Sequence, residues 1–154
     1  MEKDQFTKAF GLHLTADAYE CDRTALNNLG LIYGFLETTP DIIGMTKIMP
    51  PYAFRYIPPP GKPPEDWGIS GFVLIAESHI AIHTFPDQGF LTLDIFSCKS
   101  FDHALALRYA QGIFRFQKVE DRLQDRGLEF PRNPALVVNH LRGERRGFFP
   151  RGRA

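Results

Sequence analysis

Apolar and polar positions alternate over residues 10–18, as in Phe10-Gly-Leu12-His-Leu14-Thr-Ala16, which predicts a β-strand with one buried face. Further on, Leu26, Leu29, Ile32, Tyr33 and Leu36 fall on one helical stripe; Asp22 or Thr24 can cap that helix, which then runs to about Glu37. Thr39-Pro40 is expected to end it, because proline disfavours helical backbone at the residue before it. The densest strand pattern covers residues 71–76, 79–83 and 90–96, with turn material at Glu77-Ser78 and Pro86-Asp-Gln-Gly89 between them. These read as adjacent antiparallel strands. Asp102 can cap a helix over residues 104–112, while residues 114–126 fit either a continuing helix or a polar edge strand.

Between positions 50 and 64 lie seven of the twelve prolines, including Pro58-Pro59-Pro60 and Pro63-Pro64. Such a run suits neither a helix nor a central strand, so an extended surface loop is expected. It serves as a spacer, or as the wall of a ligand site built from Tyr52, Phe54, Tyr56 and Trp67.

At 154 residues and 44% hydrophobic composition, the chain can bury one core, and a single domain over residues 1–126 is expected. Beyond Gly127, Arg132, Arg142, Arg145, Arg146, Arg151 and Arg153 face only Glu129 and Glu144, which reads as a basic, loosely ordered tail over 127–154. A tail that contacts RNA or a phosphate-bearing partner is the less favoured reading of the same residues. Eighteen basic and eighteen acidic side chains cancel, so no overall field would gather nucleic acid or an anionic membrane. No apolar run approaches the roughly 20 residues of a membrane span, and the charged start MEKDQ lacks the apolar stretch of a signal peptide. A cytoplasmic protein is expected, with Cys21 and Cys98 as free thiols.

The most apolar third of the chain also carries Ser70, Glu77, Ser78, His79, His83, Asp94 and Cys98. A buried polar group without a partner costs about 1–3 kcal/mol, so such a concentration needs a reason. One is metal binding by Glu77, His79 and His83, which would share a strand face, but the HExxH pattern is absent and no metal site is expected. Another is a hydrolase with Ser78 or Ser70 as nucleophile and His83 as base, although Gly68-Ile-Ser70-Gly71 is not a G-x-S-x-G elbow. A third makes them ordinary, satisfied core residues.

The string from Gly68 through Ser70, Glu77-Ser78-His79 and His83-Thr-Phe85-Pro86, continued by Gly89 and by Leu93-Asp-Ile-Phe-Ser-Cys98, resembles the core of the prokaryotic S-adenosylmethionine decarboxylases. Gly11-Leu-His-Leu14 and Tyr19-Glu-Cys-Asp22 resemble that family's opening strand and turn, so the likeness spans residues 10–123. It implies an α+β fold, an antiparallel sheet of about four strands with two helices on one face, and pairing as a homodimer whose sites are completed across the interface. It also implies self-cleavage between Glu77 and Ser78 and conversion of Ser78 into a pyruvoyl cofactor, which holds the substrate amine through a Schiff base and draws in electrons as carbon dioxide leaves.

By position, the resemblance gives His83 the role of proton acceptor during processing, Ser70 that of its supporting serine, and Cys98 that of proton donor in turnover. An apolar strand around Cys98 would keep its thiol protonated. Asp87, Ile80 and Phe85 are the implied substrate contacts. Asp87 stands where the family has a ribose-binding glutamate, Leu12 where it commonly has arginine, and the usual His and Phe before the Gly-x-Ser-Gly turn are missing, which leaves Phe54, Tyr56 or Trp67 to stack an adenine. The implied substrate is S-adenosylmethionine, decarboxylated to supply the aminopropyl donor for spermidine. Arginine or ornithine on the same machinery is a second expectation, and an unprocessed binding homologue a third.

Overall fold

The structure, a computed structural model, describes residues 9–128 and Phe130. The expectation of a loosely ordered tail over 127–154 therefore rests on residues that, apart from 127, 128 and 130, lie outside those described. Residues Gly11–Arg126 form one compact unit.

That unit is α+β: one six-stranded sheet with helices. The strands are β1 (Gly11–Tyr19), β2 (Tyr52–Tyr56), β3 (Gly68–Ile75), β4 (Ser78–Phe85), β5 (Phe90–Ser97) and β6 (Lys118–Arg126), in the order β2-β3-β4-β5-β1-β6. All neighbours are antiparallel. The helices are α1 (Arg23–Leu26), α2 (Leu29–Ile42) and α3 (His103–Phe114). Among the described residues no helix is long and apolar enough to cross a membrane.

Strand alternation sorts the sheet into two faces. Leu14, Ala16 and Ala18, Ile69, Val73 and Ile75, Ile80 and Ile82, and Leu91, Leu93 and Ile95 point to one side, where they join Ile32, Phe35 and Leu36 of α2 and Ala106, Ala110 and Phe114 of α3 in a single core. Phe35 meets Phe114 edge-on at 5.2 Å between ring centroids. The other face carries His13, Ser70, Phe72, His79, His83, Asp94 and Phe96, none of them buried. Thr84, buried on the core side, accepts from the Ile69 N–H at 3.0 Å and donates to the Leu26 carbonyl at 2.9 Å, which ties β3 and β4 to the end of α1.

Three local expectations change, and one open choice is decided. The helix expected over residues 22–37 is two helices, because Asn28 leaves helical backbone and its side chain accepts from the Leu31 N–H, which starts a second helix behind the Asp22 cap of the first. Pro40 does not end that helix but sits in its last turn, with Thr38 and Thr39 hydroxyls donating back to the Gly34 and Phe35 carbonyls around the missing donor. The proline stretch is not all loop: its proline-free segment Tyr52–Tyr56 pairs with β3 as an edge strand, a position that asks for hydrogen bonds on one side only. Of the two readings of residues 114–126, the polar edge strand holds over Lys118–Arg126, after Arg115 turns left-handed at φ 54° and stops α3. These two edges bring the sheet from about four strands to six.

Candidate active site

The β3–β4 hairpin turns over two residues, Ala76 and Glu77, with Ile75 paired to Ser78. Tight two-residue hairpins match strand twist when a central residue has positive φ. Neither does here; instead Ser78 takes φ +156°, a region that disfavours side chains. The strain of the turn is thus located on the serine itself.

Backbone hydrogen bonds hold this tip from both sides. The Cys98 N–H donates to the Glu77 carbonyl oxygen at 3.0 Å, and the Ala76 N–H donates to the Thr46 carbonyl at 2.8 Å. The Thr46 N–H donates to Glu77 Oε2 at 3.0 Å, which fixes the Glu77 side chain to the segment after α2. Behind Cys98, Ser97 Oγ donates to the Lys99 carbonyl at 2.7 Å, and Lys99 Nζ donates to the Gly44 carbonyl at 2.7 Å. The carbonyl on the N-terminal side of Ser78 is therefore polarised by a fixed donor, the arrangement that stabilises an oxyanion.

Ser78 Oγ lies 3.1 Å from His79 Nδ1. The His79 ring packs 6.0 Å from Phe96, which also contacts His13 at 5.8 Å and carries the Arg126 guanidinium 4.2 Å above its face. His13 Nε2 pairs with Asp94 Oδ1 at 3.1 Å. Burial, with help from His13 and Arg126 and against Asp94, pushes His79 below the ordinary histidine value of 6.5, so it is neutral at pH 7.

At the other end of the β3–β4 pair, Ser70 and His83 are register partners, and Ser70 Oγ is 2.8 Å from His83 Nδ1. The flanking glycines make that approach possible: a Cβ on Gly68 would fall 1.7 Å from the Thr84 carbonyl oxygen, and one on Gly71 2.7 Å from Leu36 Cδ1. A cleft of about 360 Å³ opens here, lined by Tyr56, Asp66, Gly68, Ser70, His83, Thr84 and Phe85. Next to it Asp87 Oδ2 accepts from Trp67 Nε1 at 2.8 Å, and Arg55 lies 5.7 Å from the Trp67 ring centroid.

The sequence-predicted residues thus fall into two groups rather than one. Glu77, Ser78 and Cys98 gather at the hairpin tip; Ser70, His83, Phe85 and Asp87 gather at the far end of β4. Five strand positions, about 17 Å, separate Ser78 from His83. Ile80 is fully buried in the core, so its side chain is not a substrate contact. Cys98 is exposed just beyond β5 rather than set in an apolar strand, because the chain leaves the sheet at Ser97. Three features were not read from the sequence: the His79–Ser78 contact, the Cys98 N–H donor and the Trp67–Asp87 bond. Adjacency to Ser78 was the available signal for His79; the other two join distant segments.

The fold is that of a decarboxylase class of carboxy-lyases. The family model described as S-adenosylmethionine decarboxylase matches residues 12–127, and the chain belongs to that family. A protein of Fervidobacterium nodosum named S-adenosylmethionine decarboxylase proenzyme is 31% identical over 140 residues, covering 89% of this chain and 82% of that one. Its namesake from Thermotoga maritima is 36% identical over 103 residues, covering 62% and 72%. The crystal structure of the adenosylmethionine decarboxylase from Aquifex aeolicus superposes with a TM-score of 0.65 at 29% identity, over 79% of this chain and 93% of that one.

Proposed function

We propose that this chain is a proenzyme that breaks its own backbone between Glu77 and Ser78, keeps Ser78 as a pyruvoyl group and decarboxylates S-adenosylmethionine in the cytoplasm, supplying the aminopropyl donor for spermidine. The observation that carries this reading is the strained Ser78, at φ +156°, next to a carbonyl fixed by the Cys98 N–H. Attack of Ser78 Oγ on that carbonyl exchanges an amide for an ester and relieves the backbone strain. The Cys98 N–H meets the oxyanion as it forms.

Loss of the ester then requires removal of the Ser78 Cα proton. With Nδ1–H donating to Ser70 Oγ, His83 presents Nε2 as the acceptor for it. Because His83 and Ser78 of one chain lie about 17 Å apart along β4, His83 serves the serine of a second copy, and the working unit is a homodimer. The sheet face left uncovered by helices, with exposed Tyr52, Phe54, Phe72 and Leu74, is the surface available for pairing.

The pyruvoyl group, once made, supplies an electron-withdrawing carbonyl that takes up the electrons left by departing carbon dioxide. Cys98 Sγ, exposed beside the tip, holds the proton returned to the substrate carbon. Asp87, aimed by Trp67, binds the ribose hydroxyls. Denaturing electrophoresis tests the reading: pieces of residues 1–77 and 78–154 from wild type and a single chain from Ser78→Ala are expected, and an intact wild-type chain with activity overturns it.

A further inference from the structure

We propose that His79 is a catalytic residue of self-processing: its Nδ1 takes the Ser78 hydroxyl proton as Oγ attacks the Glu77 carbonyl. The inference rests on the self-cleavage reading and adds the base that the first step needs.

Among the described residues, His79 is the side chain that hydrogen-bonds Ser78 Oγ, at 3.1 Å. His83, which the family resemblance assigns to proton removal, is at the opposite end of β4 in the same chain. The attack also needs a polarised carbonyl and a reason for the amide to give way. Cys98 N–H supplies the first and the positive φ of Ser78 the second, so nucleophile, base and oxyanion donor all come from one chain.

The protons balance without a co-reactant. The Oγ–H bond breaks and its proton passes to Nδ1 as the bond from Oγ to the Glu77 carbonyl carbon forms. The tetrahedral oxyanion then collapses, the carbon–nitrogen bond breaks, and Nδ1 returns the proton to the Ser78 nitrogen, which leaves as an amine. The product is an ester between Glu77 and Ser78. A base for this cycle must be neutral before the step and able to hold a proton during it. The groups facing the ring set that balance: burial, His13 and Arg126 favour the neutral form, Asp94 favours the charged form, and the net direction is towards neutral.

Two histidines then divide two proton transfers, His79 the shift of the acyl group and His83 the later elimination. Hydroxylamine separates them, because it cleaves an ester-linked chain and leaves an amide-linked one whole. Full-length precursor made in a cell-free reaction would be followed by denaturing electrophoresis with and without hydroxylamine, as wild type, His79→Ala, His79→Asn and His83→Ala. His83→Ala should accumulate the hydroxylamine-sensitive ester. Both His79 variants should form it at least about 100-fold more slowly than wild type, since a positioned base contributes about 10²–10⁴-fold. Asn keeps an acceptor near the hydroxyl but cannot carry the proton, so it should not rescue. Replacing the hydroxyl by a thiol, Ser78→Cys in the His79→Asn background, should restore a hydroxylamine-sensitive link, because a thiol ionises with little help. Wild-type ester formation should slow in acid, at a pH lower than an ordinary histidine would require, because burial holds the His79 ring neutral. If wild type cleaves and both His79 variants form the ester at its rate, or if the thiol fails to rescue a folded variant, the inference is overturned while the decarboxylase reading stands. A wild-type precursor that never cleaves removes both.

Discussion

Ser78 and His83 occupy the first and sixth positions of the same strand, β4, and strand alternation assigns them to opposite faces of the sheet. Their side chains therefore cannot meet within one chain, and on the proposed mechanism the histidine that finishes the processing of Ser78 comes from a second copy. Mixing chains tests this. His83→Ala alone should stall at the ester, and Ser78→Ala alone should stay whole. When the two are co-expressed, the His83→Ala chain should mature with the histidine lent by its partner. Electrophoresis of differently tagged chains reads the result, and failure of the mixture to mature either chain would argue against a shared site.

On the proposed mechanism Cys98 lends its backbone N–H to processing and its thiol to turnover. Cys98→Ala keeps the N–H that reaches the Glu77 carbonyl, so the chain should still break. Decarboxylation should fall by about 100-fold or more, the contribution of a positioned proton donor. Release of labelled carbon dioxide, normalised to the processed fraction, separates the two.

Trp67 fixes Asp87 through an indole N–H. Trp67→Phe keeps the ring and removes one hydrogen bond, worth about 1 kcal/mol, so KM for S-adenosylmethionine should rise roughly five-fold with kcat and self-cleavage unchanged. Asp87→Glu, assayed beside it with arginine and ornithine as competing substrates, checks the choice of substrate. Faster turnover of either amino acid by wild type would give the site to a smaller cation.

Gly68→Ala should destabilise the chain by about 1–3 kcal/mol or more, because its Cβ would fall 1.7 Å from the Thr84 carbonyl oxygen and push β3 from β4. The same displacement would pull Ser70 from His83. A lower denaturant midpoint together with ester accumulation is the expected pair of effects.

Much of the fold was legible because one face of each central strand is buried. Alternation at Leu14, Ala16 and Ala18 and at Leu91, Leu93 and Ile95 marks those strands in the sequence. The edges lacked that signal. Tyr52–Tyr56 and Lys118–Arg126 are largely exposed, so their patterns are those of a loop and a polar segment, and pairing with β3 and β1 decides them. Pro40 misled because packing overrides the local preference: its ring is buried in the last turn of α2, and the helix ends two residues later at Ile42. The site residues were legible as types in order along the chain. Their division between two ends of β4 was not, since it depends on register, and neither were the Cys98–Glu77 and Trp67–Asp87 bonds, which join segments about 20 residues apart in sequence.

Conversion of Ser78 into a carbonyl group at a new chain end is read from the intact mass of the purified protein. Two fragments are expected, residues 1–77 with an ordinary carboxyl end and residues 78–154 lighter by one ammonia than a serine-ended peptide, the latter without a free amine. One full-length mass from protein that decarboxylates S-adenosylmethionine, or a second fragment that still begins with serine, would contradict it.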